Sequence, residues 1–115
     1  MKILRTPDEC FDNLEDYPFE PNYIDIEHDD QTLRMHFLDE NSESEEIVLL
    51  MHGEPTWSYL YRKIIPILVS NGKRVIAPDL IGFGKSDKPS SREDYSYANH
   101  IMWVDTLIKK LDLKN

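Results

Sequence analysis

The residues with the clearest capacity for chemistry form the turn His52-Gly53-Glu54-Pro55, between an apolar run and an apolar pattern at helical spacing. In α/β proteins, ligands bind where such a strand ends. Gly53 permits a tight turn and a close approach of the backbone. The amides that follow it, at the start of a helix, can donate to an anion. From the spacing alone, an anion-binding loop and a plain turn are equally weighted.

His52 and the Glu54 side chain are the titratable groups of this turn. A catalytic base needs a nucleophile within hydrogen-bonding reach, and none stands beside His52 in the sequence. We therefore predict that His52 is a structural loop residue. The Glu54 carboxylate can hydrogen-bond within a pocket or cap the loop, and both readings stay open.

A second segment, Ala77–Pro89, contains a fragment that looks like a phosphate-binding motif. Gly84-Lys85-Ser86 matches the end of a P-loop, but that motif needs a glycine five residues before Gly84, where Asp79 stands. The segment is therefore predicted to be a structural loop turned by Gly82 and Gly84. We expect the Asp79 and Ser86 side chains to hydrogen-bond its backbone.

The remaining polar residues predict neither a metal centre nor a nucleophile. No pair of Cys or His has metal-ligand spacing, and the other histidines are expected at solvent-facing positions: His28, His36 and His100. Tyr97 and Trp103 are predicted to be packing residues. No window fits Gly-x-nucleophile-x-Gly, the turn that presents a nucleophile between a strand and a helix.

Charge and composition narrow the functional classes. A net charge of −9 argues against nucleic acid as a partner. Cys10 is the single cysteine, which excludes an intramolecular disulfide. No apolar run approaches the roughly 20 residues that span a bilayer, and the polar N-terminus lacks a secretory signal. We expect a soluble cytoplasmic protein without membrane association.

The hydrophobic pattern predicts a mixed sheet with helices packed against it, in the order β-β-β-α-β-α. Alternation from Ile24 to Phe37 indicates a hairpin with one wet face. The continuously apolar Ile47–Met51 indicates a strand buried on both faces, and Val75–Ala77 a second one. A helix from Trp57 to Leu68 should be kinked or shortened by Pro66 and stopped by Asn71-Gly72. Ser96 should cap a last helix whose apolar face comprises Ile101, Val104, Leu107, Ile108 and Leu111.

At this level of detail the sequence resembles the haloalkane dehalogenases. His52–Lys63 (HGEPTWSYLYRK) resembles their oxyanion loop and the helix that follows. Arg74–Asp79 and Gly82–Pro89 resemble their next strand and loop, and the N-terminal Arg5–Glu9 and Tyr17–Tyr23 resemble the branch with a Glu-Pro-Thr-Trp loop. The likeness covers nearly all 115 residues.

The resemblance implies a partial α/β-hydrolase fold, with residues 1–115 as the N-terminal portion of a single domain. It assigns the backbone N–H of Glu54 to the oxyanion hole, and leaves His52, Gly53, Pro55 and the glycine-rich segment with structural roles. The family cleaves carbon–halogen bonds of small halogenated hydrocarbons through an alkyl-enzyme ester, without cofactor or metal. Its nucleophile, base, acid, cap and halide-binding tryptophans would lie beyond Asn115. These 115 residues alone are therefore expected to be inactive.

The resemblance also implies that Ile47–Met51 lies between Val75–Ala77 and the nucleophile strand, so a chain without that strand has an exposed apolar edge. We expect such a chain to be marginally stable or insoluble. Two alternatives stay open. One is a fragment of an epoxide hydrolase or another α/β-hydrolase. The other is a non-catalytic half-fold that depends on a partner; the oligomeric state cannot be read from the sequence.

Overall fold

The computed structural model describes residues 1–113. Lys114 and Asn115, after which the nucleophile strand is expected, lie outside this range.

The N-terminal half is built on an antiparallel hairpin. Strands β2 (Asn22–His28) and β3 (Gln31–Glu40) pair so that Ile26 lies opposite Leu33. Asp29, at the turn, has a positive φ of 53°. The predicted hairpin is confirmed.

The solvent-facing side of the hairpin is narrower than the alternation indicates. Four consecutive residues of β3 are buried, from Met35 to Leu38. The expectation that His36 faces solvent is wrong, because its side chain is fully buried. Both faces of the end of β3 are interior, because Phe37 lies in one core and Leu38 in the other.

Strand β5 (Arg74–Pro78) is antiparallel to β3 and parallel to β4 (Ile47–Leu49). The hairpin is thus part of a four-stranded mixed sheet in the order β2-β3-β5-β4. The mixed sheet is therefore confirmed, and β5 is the buried strand expected at Val75–Ala77. The expectation of burial on both faces is wrong for β4, since Leu49 is 37% exposed and Met51 is 39% exposed. Within residues 1–113, β4 has a neighbouring strand on one side only.

The segment after β4 is helical in two short pieces. A 3₁₀ helix spans Ser58–Tyr61, and α1 begins only at Ile64 and ends at Ser70. Pro66 is the third residue of α1, in the first turn, where its missing N–H breaks no helical hydrogen bond. The predicted shortening is confirmed. So is the stop at Asn71-Gly72, where Gly72 has φ +81°.

The last helix, α2, spans Tyr97–Lys110 and is capped as predicted, with Ser96 Oγ accepting from the Asn99 amide. Its buried face is centred on Trp103 and Leu107. Trp103 is a packing residue as expected. Tyr97 is not, since it is 89% exposed, and Ile101, placed on the predicted apolar face, is 63% exposed.

The sheet carries a core on each face. The first core packs sheet residues, including Leu33 and Ile76, against Trp103 and Leu107 of α2. On the opposite face, another core packs other sheet residues against Tyr17, Ile65 and their neighbours. A short pair, β1 (Ile3–Leu4) with β6 (Lys88–Pro89), ties the N-terminus to the end of the 79–87 loop. No helix within residues 1–113 combines the length and apolarity that crossing a bilayer requires.

Candidate functional site

The predicted anion-binding loop lies just past the end of β4 and before the 3₁₀ helix. It is organised around the Gly53 carbonyl, which accepts from the Thr56 amide at 3.0 Å, from Thr56 Oγ1 at 2.6 Å and from His52 Nδ1 at 2.9 Å. The Glu54–Pro55 peptide bond is cis. The three hydrogen bonds to the Gly53 carbonyl hold Glu54 at the outer bend of the loop.

His52 anchors the start of this loop to the neighbouring one. Its Nε2 accepts from the Leu80 amide at 2.9 Å, while Nδ1–H donates to Gly53. Since one ring nitrogen accepts and the other donates, the imidazole is neutral with its proton on Nδ1. Both ring nitrogens are engaged within the chain, which supports a structural role for this histidine rather than that of a general base.

The end of the loop is anchored to the residue beside Leu80. The Ser58 amide donates to Asp79 Oδ1 at 2.7 Å. The loop between His52 and Ser58 is thus fastened at both ends to one dipeptide, Asp79-Leu80, which follows β5 directly. We call this arrangement of four residues the loop clamp.

Glu54 sits in the middle of the clamped loop with its backbone amide available. The residue is exposed, and no acceptor within residues 1–113 is assigned to its N–H. Gly53 is the first residue of the tight turn closed by the Thr56 amide, and its φ is not positive. Within residues 1–113, a Cβ at this position would meet nothing within 4 Å.

Asp79 is the centre of a buried polar network that joins the hairpin to both loops. Its Oδ2 accepts from His36 Nδ1 at 2.8 Å and from the Lys85 amide at 2.9 Å. Burial raises the pKa of Asp79, but the hydrogen bond and electrostatic attraction from His36, together with the amides of Lys85 and Ser58, outweigh it, so the pKa lies below its ordinary value. Ser86 Oγ donates to the Asp79 carbonyl and accepts from the His36 amide. Both side chains therefore hydrogen-bond to backbone groups, and the Asp79 carboxylate also binds the His36 side chain.

Gly84 lets the glycine-rich loop close over this network. It has φ +54°, and a Cβ there would lie 2.4 Å from Asp79 Oδ2 and 2.8 Å from Trp57 Cε3. Gly82 also has a positive φ, and it faces the Tyr95 ring. The loop is therefore packed directly on the carboxylate that holds the Ser58 amide.

A buried ion pair near this loop was missed by the sequence patterns. Arg5 forms a bidentate ion pair with Asp87, at 2.6 and 2.8 Å, and Asp87 is buried. The pKa of Asp87 is raised by burial but lowered further by the Arg5 side chain and the Arg34 amide, with a net decrease. Long-range pairs of this kind leave no local signal, because Arg5 and Asp87 are 82 residues apart.

Two concave surfaces adjoin Glu54 and α2. A cavity of about 410 Å³ is lined by Glu54, Gly82, Phe83, Arg92, Tyr95 and His100. An apolar groove of about 360 Å³ lies between Met51, Leu80 and α2, and His100 borders it as well. The expectation that His100 and His28 face solvent is wrong, since both are half-buried, and burial lowers the pKa of His100. Within residues 1–113, no three His, Cys, Asp or Glu side chains are placed to hold a metal ion.

Comparison with known proteins places this architecture in context. The family model described as the alpha/beta hydrolase fold matches residues 46–115. Haloalkane dehalogenases of Psychrobacter cryohalolentis and Mycolicibacterium paratuberculosis are 57% and 55% identical over 116 residues. These matches cover all of this chain and 38% of each relative.

The solved structures agree with the sequence relatives. A tetrameric haloalkane dehalogenase from Paraglaciecola agarilytica superposes with a TM-score of 0.94 at 50% identity, over 100% of this chain and 39% of that one. A probable hydrolytic enzyme from Pseudomonas aeruginosa has a TM-score of 0.74 at 32% identity, over 84% of this chain and 31% of that one. The chain belongs to the α/β-hydrolase fold family, and over its whole length it is homologous to haloalkane dehalogenases that are more than twice as long.

Proposed function

We propose that these residues are the N-terminal segment of a haloalkane dehalogenase-like hydrolase and supply its oxyanion loop. The observation that carries the proposal is the Glu54 amide, unengaged within the described residues, on a loop fastened at both ends. Identities of 55–57% to haloalkane dehalogenases over the whole chain support the choice of reaction. A small halogenated hydrocarbon is the proposed substrate.

In the reaction of the enzymes that this sequence resembles, an Asp carboxylate displaces halide from carbon and forms an alkyl-enzyme ester. A water molecule, deprotonated by a His, then attacks the ester carbonyl, and the alcohol leaves as the carboxylate is restored. Negative charge develops on the carbonyl oxygen during this second step. An N–H donor at Glu54, held in place before the reaction, would stabilise that charge.

No window of these 115 residues fits Gly-x-nucleophile-x-Gly, the turn that would present the nucleophile. We therefore propose that a polypeptide of these residues alone does not turn over substrate. A clean test places the segment where the other groups are present. In a chimera, residues 1–115 replace the 116 matching residues of the Psychrobacter cryohalolentis relative, and halide release from 1-bromobutane is measured.

Two substitutions at one position separate the backbone from the side chain. Glu54→Pro removes the N–H, and we expect kcat to fall about 100- to 1,000-fold, as when one oxyanion donor is lost. Glu54→Gln keeps the N–H and should retain kcat within about 10-fold, a loss well short of that for an oxyanion donor. Equal losses in both variants, with circular dichroism unchanged, would refute the role of the amide.

The alternatives need different tests. In this chimera the residue after the nucleophile and the cap come from the dehalogenase relative, so an epoxide hydrolase is recognised instead by sequencing the source gene past codon 115 for those two features. The non-catalytic half-fold has one observation in its favour, the unpaired edge of β4 within residues 1–113. It would be favoured if the chimera folds without releasing halide and residues 1–115 instead bind a second protein chain.

A further inference from the structure

The buried His36 is far from the candidate loop in sequence and is not explained by the oxyanion role. It lies in β3 with no exposed surface. Its backbone and its side chain both contact the segment after β5: the His36 carbonyl accepts from the Asp79 amide at 2.9 Å, and Nδ1 lies 2.8 Å from Asp79 Oδ2. A buried polar side chain in a strand is costly unless it is hydrogen-bonded, so this contact calls for a reason.

The two ring nitrogens of His36 have unequal partners. Nδ1–H donates to the Asp79 carboxylate, whereas Nε2 is buried and has no hydrogen-bond partner within residues 1–113. Leaving one nitrogen unpaired costs stability that a hydrocarbon side chain would not lose. The hydrogen bond from Nδ1 is therefore the contribution that a hydrocarbon could not replace.

That hydrogen bond acts on the loop clamp. The Asp79 carboxylate binds His36 through one oxygen and the Ser58 amide through the other, at 2.7 Å. The next residue, Leu80, binds His52. Rotation of the carboxylate would release the end of the loop that follows Glu54, and a shift of Asp79-Leu80 would move its start as well.

We propose that His36 is a positioning residue for the Glu54 amide, acting through Asp79. Its Nδ1–H holds the carboxylate in the orientation that fastens the loop between His52 and Ser58. This inference rests on the proposed function of Glu54. It assigns to a residue of the hairpin an effect on ester hydrolysis, although His36 touches neither substrate nor reacting atoms.

Two variants separate hydrogen bonding from packing in the chimera. His36→Asn retains an N–H donor near the position of Nδ1, whereas His36→Leu fills the space without a donor. A displacement of about 1 Å in a catalytic group can cost roughly 100-fold in rate. We expect His36→Leu to lower steady-state halide release by between about 10-fold and 100-fold. His36→Asn should restore most of this activity.

The pre-steady-state kinetics distinguish positioning from general destabilisation. Halide leaves in the first chemical step, and the oxyanion forms in the second. His36→Leu should therefore still release close to one halide per folded enzyme in a rapid burst, followed by slow turnover. Leu107→Ala truncates the core on the other side of the sheet and serves as the control, in which burst and turnover should change together.

Hydrogen exchange provides a readout that does not depend on activity. In His36→Leu, the amides of Ser58 and Leu80 should exchange faster, and His36→Asn should restore their protection. Loss of burst and turnover in proportion, or equal behaviour of the Asn and Leu variants, would overturn the inference. If the unsubstituted chimera releases no halide, the proposed function fails, and unchanged exchange in His36→Leu would then overturn the clamp by itself.

Discussion

Replacement of Gly84 by alanine tests how tightly the glycine-rich loop is packed on the Asp79 network. Gly84 has φ +54°, a conformation that costs an ordinary residue about 1–2 kcal/mol. The new Cβ would also lie 2.4 Å from the buried Asp79 Oδ2, and overpacking of this kind costs about 1–3 kcal/mol. The two effects together predict a loss of about 2–5 kcal/mol in the free energy of unfolding.

Two other glycines provide matched controls. Gly72 has φ +81° but open space around its missing Cβ, so Gly72→Ala should cost only the strain, about 1–2 kcal/mol. Gly53 has no positive φ, and an added Cβ would meet nothing within 4 Å among residues 1–113, so Gly53→Ala should be neutral or stabilise by about 0.4–1 kcal/mol. The three variants therefore separate backbone strain from steric contact.

The assay is urea unfolding of the chimera, followed by far-ultraviolet circular dichroism. We expect the midpoints to fall in the order Gly53→Ala, Gly72→Ala, Gly84→Ala. If Gly84→Ala were no less stable than Gly72→Ala, the contact with Asp79 would be relieved at no cost. The account of a loop packed on that carboxylate would then be refuted.

Three further predictions concern charges and the sheet edge. Because the pKa of Asp87 is lowered, its carboxylate stabilises the fold above the ordinary carboxyl pKa near 4, and this stabilisation is lost as pH falls below that value. Asp87→Asn should therefore reduce the decrease of the urea midpoint between about pH 5 and 2. An unchanged pH dependence of the midpoint would contradict this. A polypeptide of residues 1–115 alone should associate through the open edge of β4. Leu49→Lys should then raise its monomer fraction in size-exclusion chromatography. If the unsubstituted polypeptide is monomeric and melts cooperatively, this prediction is wrong. Arg74→Met removes the ion-pair partner of Asp39, whose side chain is only 15% exposed between β3 and β5. This substitution should lower the urea midpoint more than Glu46→Gln, which removes an exposed ion pair. Equal effects of the two variants would count against this prediction.

Local chemistry accounts for the elements and the location of the candidate loop. Alternation with period two set the register of the hairpin, since Ile26 and Leu33 face each other across it. Ser96 and Asn71-Gly72 marked helix ends because capping and a positive φ depend on neighbouring residues. The turn at Glu54 was recognised because an apolar run changes there to helical spacing. In each case the physical cause lies within a few residues of the signal.

The burial of His36, the exposure of Ile101 and the clamp on Glu54 depended on the tertiary structure. Alternation along β3 does not reveal that a second core packs against the other face of its end. Trp103 and Leu107 of α2 are buried in the core, whereas Ile101 is exposed and lines the groove beside Met51. The clamp joins two loops through residues 21 and 28 positions apart, and the His36–Asp79 hydrogen bond links them to β3 across 43 positions. Contacts across such distances arise only when the packed sheet brings the segments together, because no local backbone preference specifies them.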